Sequence, residues 1–158
     1  MTDDGGVWVK IDGAVVPQGK ILQVVQGTTT TTTSTTTATY VDTALTANIT
    51  PSSATSKVLV LVSVAGVSKS GNNAVGLRIN RDGGGITEDF GGQVGYTAPD
   101  TAQYTQNSAS TSFLDSPAAT SALVYKLQMR ASAATAYTNR NIAGYINVST
   151  ITLMEVSA

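Results

Sequence analysis

Residues 27–45, GTTTTTTSTTTATYVDTAL, decide how this chain is organised. The threonine run could be a disordered linker between two domains, a repetitive binding surface, or part of a folded strand. Threonine is β-branched, and its restricted χ1 favours extended backbone over helix, whereas flexible linkers are usually rich in Gly and Ser. A repetitive surface needs stacked rows, which one continuous run does not supply. The run therefore predicts an extended segment that enters a folded domain, with residues 28–33 exposed or at an edge and residues 40–45 well ordered.

Strand patterns recur on both sides of this run. Residues 56–68, SKVLVLVSVAGVS, are apolar on both faces, which indicates a central strand covered on both sides by a second sheet or a neighbouring subunit. No segment has a convincing helical period, so the predicted fold class is all-β, a sandwich or a barrel. Residues 122–130 alternate, and the side chains predicted to face inward are Leu123, Tyr125, Leu127 and Met129. The remaining predictions are strands at 20–26 and 74–81, a long strand or pair of strands at 144–156, long loops at 86–111, and a loop or edge segment at 131–141.

The N-terminal residues predict a separate hairpin. In residues 7–16, VWVKIDGAVV, alternating side chains surround Asp12-Gly13, a pair suited to a two-residue turn because Gly accepts positive φ. We therefore predict residues 1–18 as an N-terminal hairpin or anchor and residues 19–158 as one β-sandwich domain. An aromatic residue outside a core can fill a partner's pocket, and the alternative is that Trp8 packs on its own domain. The candidate anchor residues are Val7, Trp8, Val9 and Ile11.

The composition narrows the classes of function. Charged residues make up 12% of the 158-residue chain, against roughly 25% in ordinary soluble domains. So few charges indicate a chain that buries much of its surface in an assembly. The net charge is −1 and no Lys/Arg cluster occurs, so we expect no nucleic-acid partner. The longest apolar run, residues 58–62, is too short to span a bilayer, so we expect no membrane insertion.

Catalytic and metal-binding residue types are scarce. The chain has no histidine, the commonest general base near neutral pH, and no cysteine to form a thiolate metal site. Asp82, Glu88 and Asp89 could hold calcium, but their spacing matches no known calcium loop, and solvated turn carboxylates are the favoured interpretation. Glu88 and Asp89 are adjacent, so on a strand they point to opposite faces and cannot form a glycosidase pair. We therefore predict no enzyme activity, no cofactor and no metal site.

Several stretches together resemble the fibre or knob domains of tailed-bacteriophage virion proteins, of the kind found in cyanophages. The resemblance implies a jelly-roll β-sandwich similar to tumour-necrosis-factor-type domains, assembled as a homotrimer on the virion surface, in the tail or on the capsid. It also implies attachment to other virion proteins through the N-terminal hairpin. The stretches span roughly residues 19–158 and are GKILQVVQG, TYVDT, ITPSSATSKVLVLVSV, SFLDSPAATSALVYKLQMR and STITLMEV.

Three functions follow from this resemblance and remain open. The main hypothesis is a non-enzymatic structural protein, a short trimeric fibre or knob that contributes to host-surface recognition. The alternatives are a capsid cement or decoration protein and a polysaccharide-degrading tail spike. Tyrosines in polar loops suit contacts with a host glycan or protein, while the alternative is that they pack against the sandwich end. The candidate receptor-facing residues are Asn72, Asn73, Tyr96, Tyr104 and Tyr137.

Overall fold

All regular secondary structure in the described part of the chain is β-strand. The computed structural model describes residues 8–11, 14–17, 19–71, 73–82, 84–87, 89–90 and 106–158. The strands are β1 Trp8–Ile11, β2 Ala14–Pro17, β3 Ile21–Thr29, β4 Thr33–Thr35, β5 Val41–Ile49, β6 Lys57–Lys69, β7 Val75–Arg81, β8 Gly84–Gly85, β9 Asn107–Asp115, β10 Leu123–Ala131, β11 Ala136–Thr138 and β12 Ser149–Val156.

The strands form a β-sandwich of two antiparallel sheets. The large sheet has the order β3-β12-β6, with β9 on the other side of β6, and the small sheet has the order β5-β10-β7-β8. The chain therefore passes repeatedly from one sheet to the other. β3, β6, β9 and β12 lie in the large sheet together with the short strands β4 and β11, and β5, β7, β8 and β10 lie in the small sheet. This is the strand order of a jelly roll. The predicted fold class is confirmed.

The core lies between the inner faces of the two sheets. In β10 every second side chain is buried, so the predicted inward set is confirmed. In β6 the inward side chains are also buried, whereas Leu59 and Leu61 on the outer face are only half-buried. Among the described residues, none supplies the cover predicted for the second face of β6. The fully buried large side chains include Leu45, Leu77, Ile79, Tyr125, Leu127, Met129, Ile151 and Leu153.

The threonine run forms an edge of the large sheet and then crosses to the small one. β3 pairs with β12, and β4 pairs with β11, which continues the line of β12 along the same side of β6. β3 and β4 are therefore two parts of one extended edge, interrupted at residues 30–32. The chain then passes through residues 36–40 into β5 of the small sheet. The prediction of an edge segment is confirmed, and the run is not a linker.

Threonine side chains fix the backbone of this crossing. The hydroxyl of Thr35 accepts from the N–H of Thr37 at 3.3 Å, and the hydroxyl of Thr37 accepts from the N–H of Thr39 at 3.1 Å. The carbonyl of Thr37 accepts from the N–H of Ala131 at 2.8 Å, which ties the crossing to β10. Such hydrogen bonds to an N–H two residues on stabilise bends rather than regular strand. The threonines thus account for both the edge strand and the turn that follows it.

A glycine lets the two sheets meet along this side. A Cβ atom at Gly27 of β3 would lie 1.9 Å from the carbonyl oxygen of Thr46 in β5 and 3.2 Å from the Cβ of Ala47. No side chain fits that space, so only glycine allows β3 and β5 to approach so closely.

Two sequence-based predictions are wrong. Residues 107–115, expected within or next to long loops, form β9, and residues 91–105 lie outside the described residues. The inward residues of β9 before Asp115, namely Ala109, Thr111 and Phe113, are small or half-buried, which makes its alternation weak in the sequence. The predicted strand at 144–156 begins only at Ser149.

The N-terminal hairpin is present as β1 paired with β2. Ile11 pairs with Ala14, which fits the predicted two-residue turn, although residues 12–13 themselves lie outside the described residues. The division of the chain at residue 18 stays a prediction.

Candidate functional site

The described residues contain no group of three potential His, Cys, Asp or Glu ligands that could hold a metal ion. The same residues include no helix of the length and hydropathy needed to cross a membrane. The surface features that remain are the outer faces of the two sheets, a cleft beside the small sheet, and a protruding hairpin.

The outer face of the large sheet carries an apolar row. Val24 of β3 pairs with Met154 of β12, Met154 pairs with Leu59 of β6, and Leu59 pairs with Leu114 of β9. The row therefore crosses four adjacent strands. Val24 is 57% exposed and Leu114 is 49% exposed, while Met154 and Leu59 are half-buried. Alternation would place polar residues on a solvated outer face, so this row is unusual for a sheet that faces water.

The rows on either side extend this face. Towards the start of β3, Ile21 and Leu22 are 59% and 47% exposed, next to Val156 and Lys57. On the other side of the apolar row, the next row is uncharged and consists of Gln26, Thr152, Leu61 and Ser112. Lys57 is therefore the only charged residue in the three rows.

The outer face of the small sheet is polar and internally hydrogen-bonded. Gln128 of β10 donates to Asp42 of β5 at 2.7 Å and accepts from Nε of Arg78 of β7 at 2.9 Å. Nζ of Lys126 donates to the other oxygen of Asp42 at 2.7 Å. These hydrogen bonds, first from Lys126 and then from Gln128, hold the pKa of Asp42 below its ordinary value. This face is adapted to contact with water.

A cleft opens beside this polar face. Its volume is about 340 Å³, and Asp89 and Arg130 form an ion pair at its side. The ring of Tyr40 lies 3.9 Å from the guanidinium carbon of Arg78 and 5.1 Å from that of Arg130. A Cβ atom at Gly76 would lie 2.8 Å from Nε of Arg130 and 3.1 Å from Oδ2 of Asp89. The missing side chain of Gly76 therefore makes room for the ion pair.

Two buried carboxylates hold the opposite end of the sandwich together. Glu155 is fully buried and accepts from Gln23 at 2.6 Å and from the N–H and hydroxyl of Ser52 at 2.7 and 2.6 Å. Burial acts to raise the pKa of Glu155, but these hydrogen bonds outweigh it and lower the pKa to about 2. Asp115 accepts from the hydroxyl of buried Tyr125 at 2.7 Å and pairs with Arg81. All these groups have hydrogen-bond partners within the chain, so they stabilise the fold.

The structure changes the interpretation of the predicted receptor-facing residues. Asn73 is 5% exposed, and its side chain accepts from the N–H groups of Ser132 and Ala133 and donates to the carbonyl of Ala134. Its prediction as an outward residue is wrong, because its amide is used to hold the loop after β10. Tyr137 lies on β11, half-buried under the guanidinium group of Arg140 at 4.3 Å, and not in a loop. The predicted residues outside the described part are Asn72, Tyr96 and Tyr104.

The other predicted sites are not assembled by the structure. Asp82 has a φ of 48° and its carboxylate accepts from the N–H of Val124 at 2.9 Å, as expected of a turn residue. Asp89 pairs with Arg130, and Glu88 lies outside the described residues. Of the candidate anchor, Val7 lies outside as well. Trp8, Val9 and Ile11 lie on β1, where the structure describes the backbone alone.

A protruding hairpin at residues 139–148 was missed in the sequence. Ala143 and Gly144 both have positive φ, 55° and 81°, and the N–H of Tyr145 donates to the carbonyl of Ile142 at 3.1 Å. This is the geometry of a tight two-residue hairpin turn. Three exposed apolar side chains follow the turn: Tyr145 at 76%, Ile146 at 69% and Val148 at 53%. The pair Ala-Gly is a weak turn signal, which explains why the sequence did not reveal the turn.

The base of the hairpin is fixed by asparagines. Asn139 donates to the carbonyls of Thr29 and Asn147, both at 3.0 Å, and accepts from the hydroxyl of Ser149 at 2.8 Å. The side chain of Asn147 donates to the carbonyl of Arg140 at 2.7 Å. Asn139 thus bridges the gap between β3, β11 and β12, at the level where the threonine edge is interrupted.

Comparison with known proteins gives a fold likeness only. No protein-family model and no curated protein matches the chain. The infectious bursal disease virus VP2 subviral particle aligns with 96% of this chain at 16% identity and a TM-score of 0.47, and the structure of the Gx strain of that virus aligns with 94% at 17% identity and a TM-score of 0.46. The chain spans 42% and 43% of those chains. Similarity at this level says nothing about binding or assembly, so the resemblance to phage knob domains stays a prediction.

Proposed function

We propose that this chain is a non-enzymatic structural subunit of a virus particle, a short trimeric fibre or knob that is exposed on the particle surface and contributes to host recognition. The observation that carries this proposal is the apolar row Val24–Met154–Leu59–Leu114 on the outer face of a jelly-roll sheet. The low charge of the chain and the sequence resemblance to phage knob domains support the same conclusion.

The apolar row is large enough to be the centre of an interface and too small to be the whole of it. Burying a Val, Leu or Ile side chain completely is worth about 1.5–3 kcal/mol. Roughly half of that remains available at each of the four exposed apolar positions of this face, which are Ile21, Leu22, Val24 and Leu114. Association itself costs on the order of 4–15 kcal/mol. The neutral Thr, Ser and Gln residues around the row must therefore join the contact, as in interfaces with an apolar centre and a polar rim.

A second copy of the chain is the partner that this face fits best. The face is almost uncharged, so two such surfaces meet without burying unpaired charges, which would be costly. The polar face of the small sheet, whose charged side chains already hydrogen-bond within that face or beside it, would then remain in water. In the trimer the small-sheet faces point outward and the large-sheet faces surround the axis.

The oligomeric state tests this proposal. We expect wild-type protein to sediment at about three times the 16.2 kDa mass of the chain. Val24→Lys combined with Leu114→Lys places charges in the row at exposed positions, so the variant should fold and sediment as a monomer. Ala44→Lys adds the same charge at an exposed position of β5 in the small sheet and should leave the trimer intact. A wild-type monomer, or a trimeric double variant, would contradict the proposal.

The alternative of a capsid cement or decoration protein rests on the same apolar face, with the shell as the partner. Purified trimer that binds host cells supports the fibre. A subunit confined to the capsid lattice, without affinity for cells, supports the cement protein. Turnover of host polysaccharide by the purified chain would overturn the non-enzymatic assignment.

A further inference from the structure

We propose that the cleft beside Tyr40 is a saccharide-binding site, in which the Asp89–Arg130 pair recognises two neighbouring hydroxyl groups of a neutral sugar. This inference rests on the proposed role in host-surface recognition and assigns that role to a site. It differs from the sequence-based expectation, which placed recognition on loop tyrosines and asparagines.

Besides Asp89, three separate parts of the chain form the walls of the cleft. Ala38 belongs to the end of the threonine run, residues 74–76 begin β7, and residues 130–132 end β10. Ala38 is exposed and Ala74 is half-buried, and both offer methyl groups to the C–H face of a sugar ring. The volume of about 340 Å³ lies at the lower end of the range for ligand pockets, about 300–1,000 Å³. The cleft therefore suits a monosaccharide or the end of a glycan chain.

The polar side of the cleft presents one donor and one acceptor. Nε and Nη2 of Arg130 both donate to Oδ2 of Asp89. Among the described residues, Nη1 of Arg130 and Oδ1 of Asp89 take part in no other hydrogen bond. An N–H donor next to a carboxylate acceptor matches two adjacent sugar hydroxyls, one of which accepts from Arg130 while the other donates to Asp89.

The pair is held in place before any ligand arrives. Tyr40 contacts Arg130 and Arg78 through its ring, and Gly76 leaves space for the guanidinium group directly above the backbone of β7. A preorganised pair avoids the cost of ordering long side chains on binding. The end of the threonine run has a role here. Hydrogen bonds from the N–H groups of Thr37 and Thr39 to threonine hydroxyls stabilise the bends that bring Ala38 and Tyr40 to this face.

A neutral sugar fits this cleft better than an anion does. The charge of Arg130 is already offset by Asp89, so a bound carboxylate or phosphate would lie next to the carboxylate of Asp89 and be repelled. A sugar hydroxyl, in contrast, can use both partners at once.

Binding of free monosaccharides tests the site. Wild-type protein is titrated with glucose, galactose, mannose and N-acetylneuraminic acid, and binding is followed by saturation-transfer NMR and by chemical shift changes. We expect millimolar binding of at least one neutral sugar. Arg130→Gln and Asp89→Asn should each weaken it about tenfold or more, because each leaves a sugar hydroxyl without its charged partner. Gly76→Ala keeps both charges but displaces Arg130, and should weaken binding as well.

Lys126→Gln is the matched control. Lys126 lies on the same face with a similar exposed fraction, 39% against 45% for Arg130, but it pairs with Asp42 and does not line the cleft. It should bind sugar as the wild type does. Absence of binding of any neutral sugar to the wild type, binding of N-acetylneuraminic acid alone, or unchanged binding by Arg130→Gln would each overturn the site.

The mass of the same samples separates this inference from the proposed function. A trimer that binds no neutral sugar overturns the site and leaves the structural role standing. Sugar binding by a chain that never forms trimers supports the site and contradicts the assembly.

Discussion

The two outer faces of the sandwich are built from the same strand alternation and yet differ in chemistry. On the small sheet, outward side chains are charged or amide-bearing and bond to one another, as in Asp42, Gln128 and Arg78. On the large sheet, the corresponding positions hold an apolar row from Val24 to Leu114. Strand formation requires neither arrangement. The difference is the basis of our proposal that a second copy of the chain covers the large-sheet face.

The same contrast explains the low charge of the whole chain. A sandwich with two solvated faces would carry charges on both, whereas here the described ion pairs lie on the small sheet, beside it, or at the sandwich end. A large-sheet face rich in Thr, Ser and apolar residues needs no charges if it is covered. The composition and the apolar row therefore both support the proposed assembly.

The largest expected effect comes from forcing the two sheets apart. Gly27→Val should destabilise the fold by about 3 kcal/mol or more, because its side chain would overlap the backbone of Thr46. Thr28→Ala is the matched control, since Thr28 is the exposed neighbour on the same strand. Urea denaturation of both variants measures the difference. A Gly27→Val protein as stable as the control would show that the sheets do not meet at this point.

A smaller, pH-dependent effect comes from the buried carboxylate of the large sheet. The folded-state pKa of Glu155, about 2, lies below the ordinary value of 4.5. Its contribution to stability is therefore fully present above pH 4.5 and is lost as the pH falls towards 2. Denaturation midpoints across this range should fall for the wild type. The midpoints should fall less for Glu155→Gln, whose side chain cannot titrate. If the midpoints of the two proteins fall equally as the pH is lowered, the lowered pKa of Glu155 is contradicted.

The smallest expected effect is on the polar face. Lys126→Ala removes an ion pair in which both side chains are more than one third exposed, so the loss should be about 0–1 kcal/mol and should shrink further at high salt. Thermal unfolding at two salt concentrations measures it. A loss of stability comparable to that of Gly27→Val would mean that the ion pair on this face contributes substantially to folding, which would contradict its interpretation as a solvated pair.

The sequence predicts the fold well where alternation is strong. The inward side chains of β10 differ sharply from their neighbours, and the β-branched threonines correctly indicate an extended edge. The sequence also indicated that both faces of β6 are apolar, but it did not show what covers the outer face. In contrast, β9 is built mostly from Ser, Thr and Ala, whose weak alternation hid it, and Ala143-Gly144 is a weak turn signal.

The sites were harder to predict because they depend on contacts between distant parts of the chain. Asn73 looked like an exposed loop residue, but its amide bonds residues 132–134, some sixty positions away. Asp89 and Arg130 are separated by 41 positions and meet only because Gly76 leaves room for them. Patterns along the sequence do not contain such pairings, whereas the sheet register does.

The most direct test of the central claim is the accessibility of the apolar row in solution. The chain has no cysteine, so Val24→Cys and Ala44→Cys each introduce a single thiol, one on each outer face at an exposed position. Maleimide labelling is followed at high protein concentration and after dilution. We predict that the thiol at position 24 is protected at high concentration and becomes reactive on dilution, while the thiol at position 44 reacts equally in both. Equal, rapid labelling at both positions and both concentrations would contradict the claim that a second copy covers the large-sheet face.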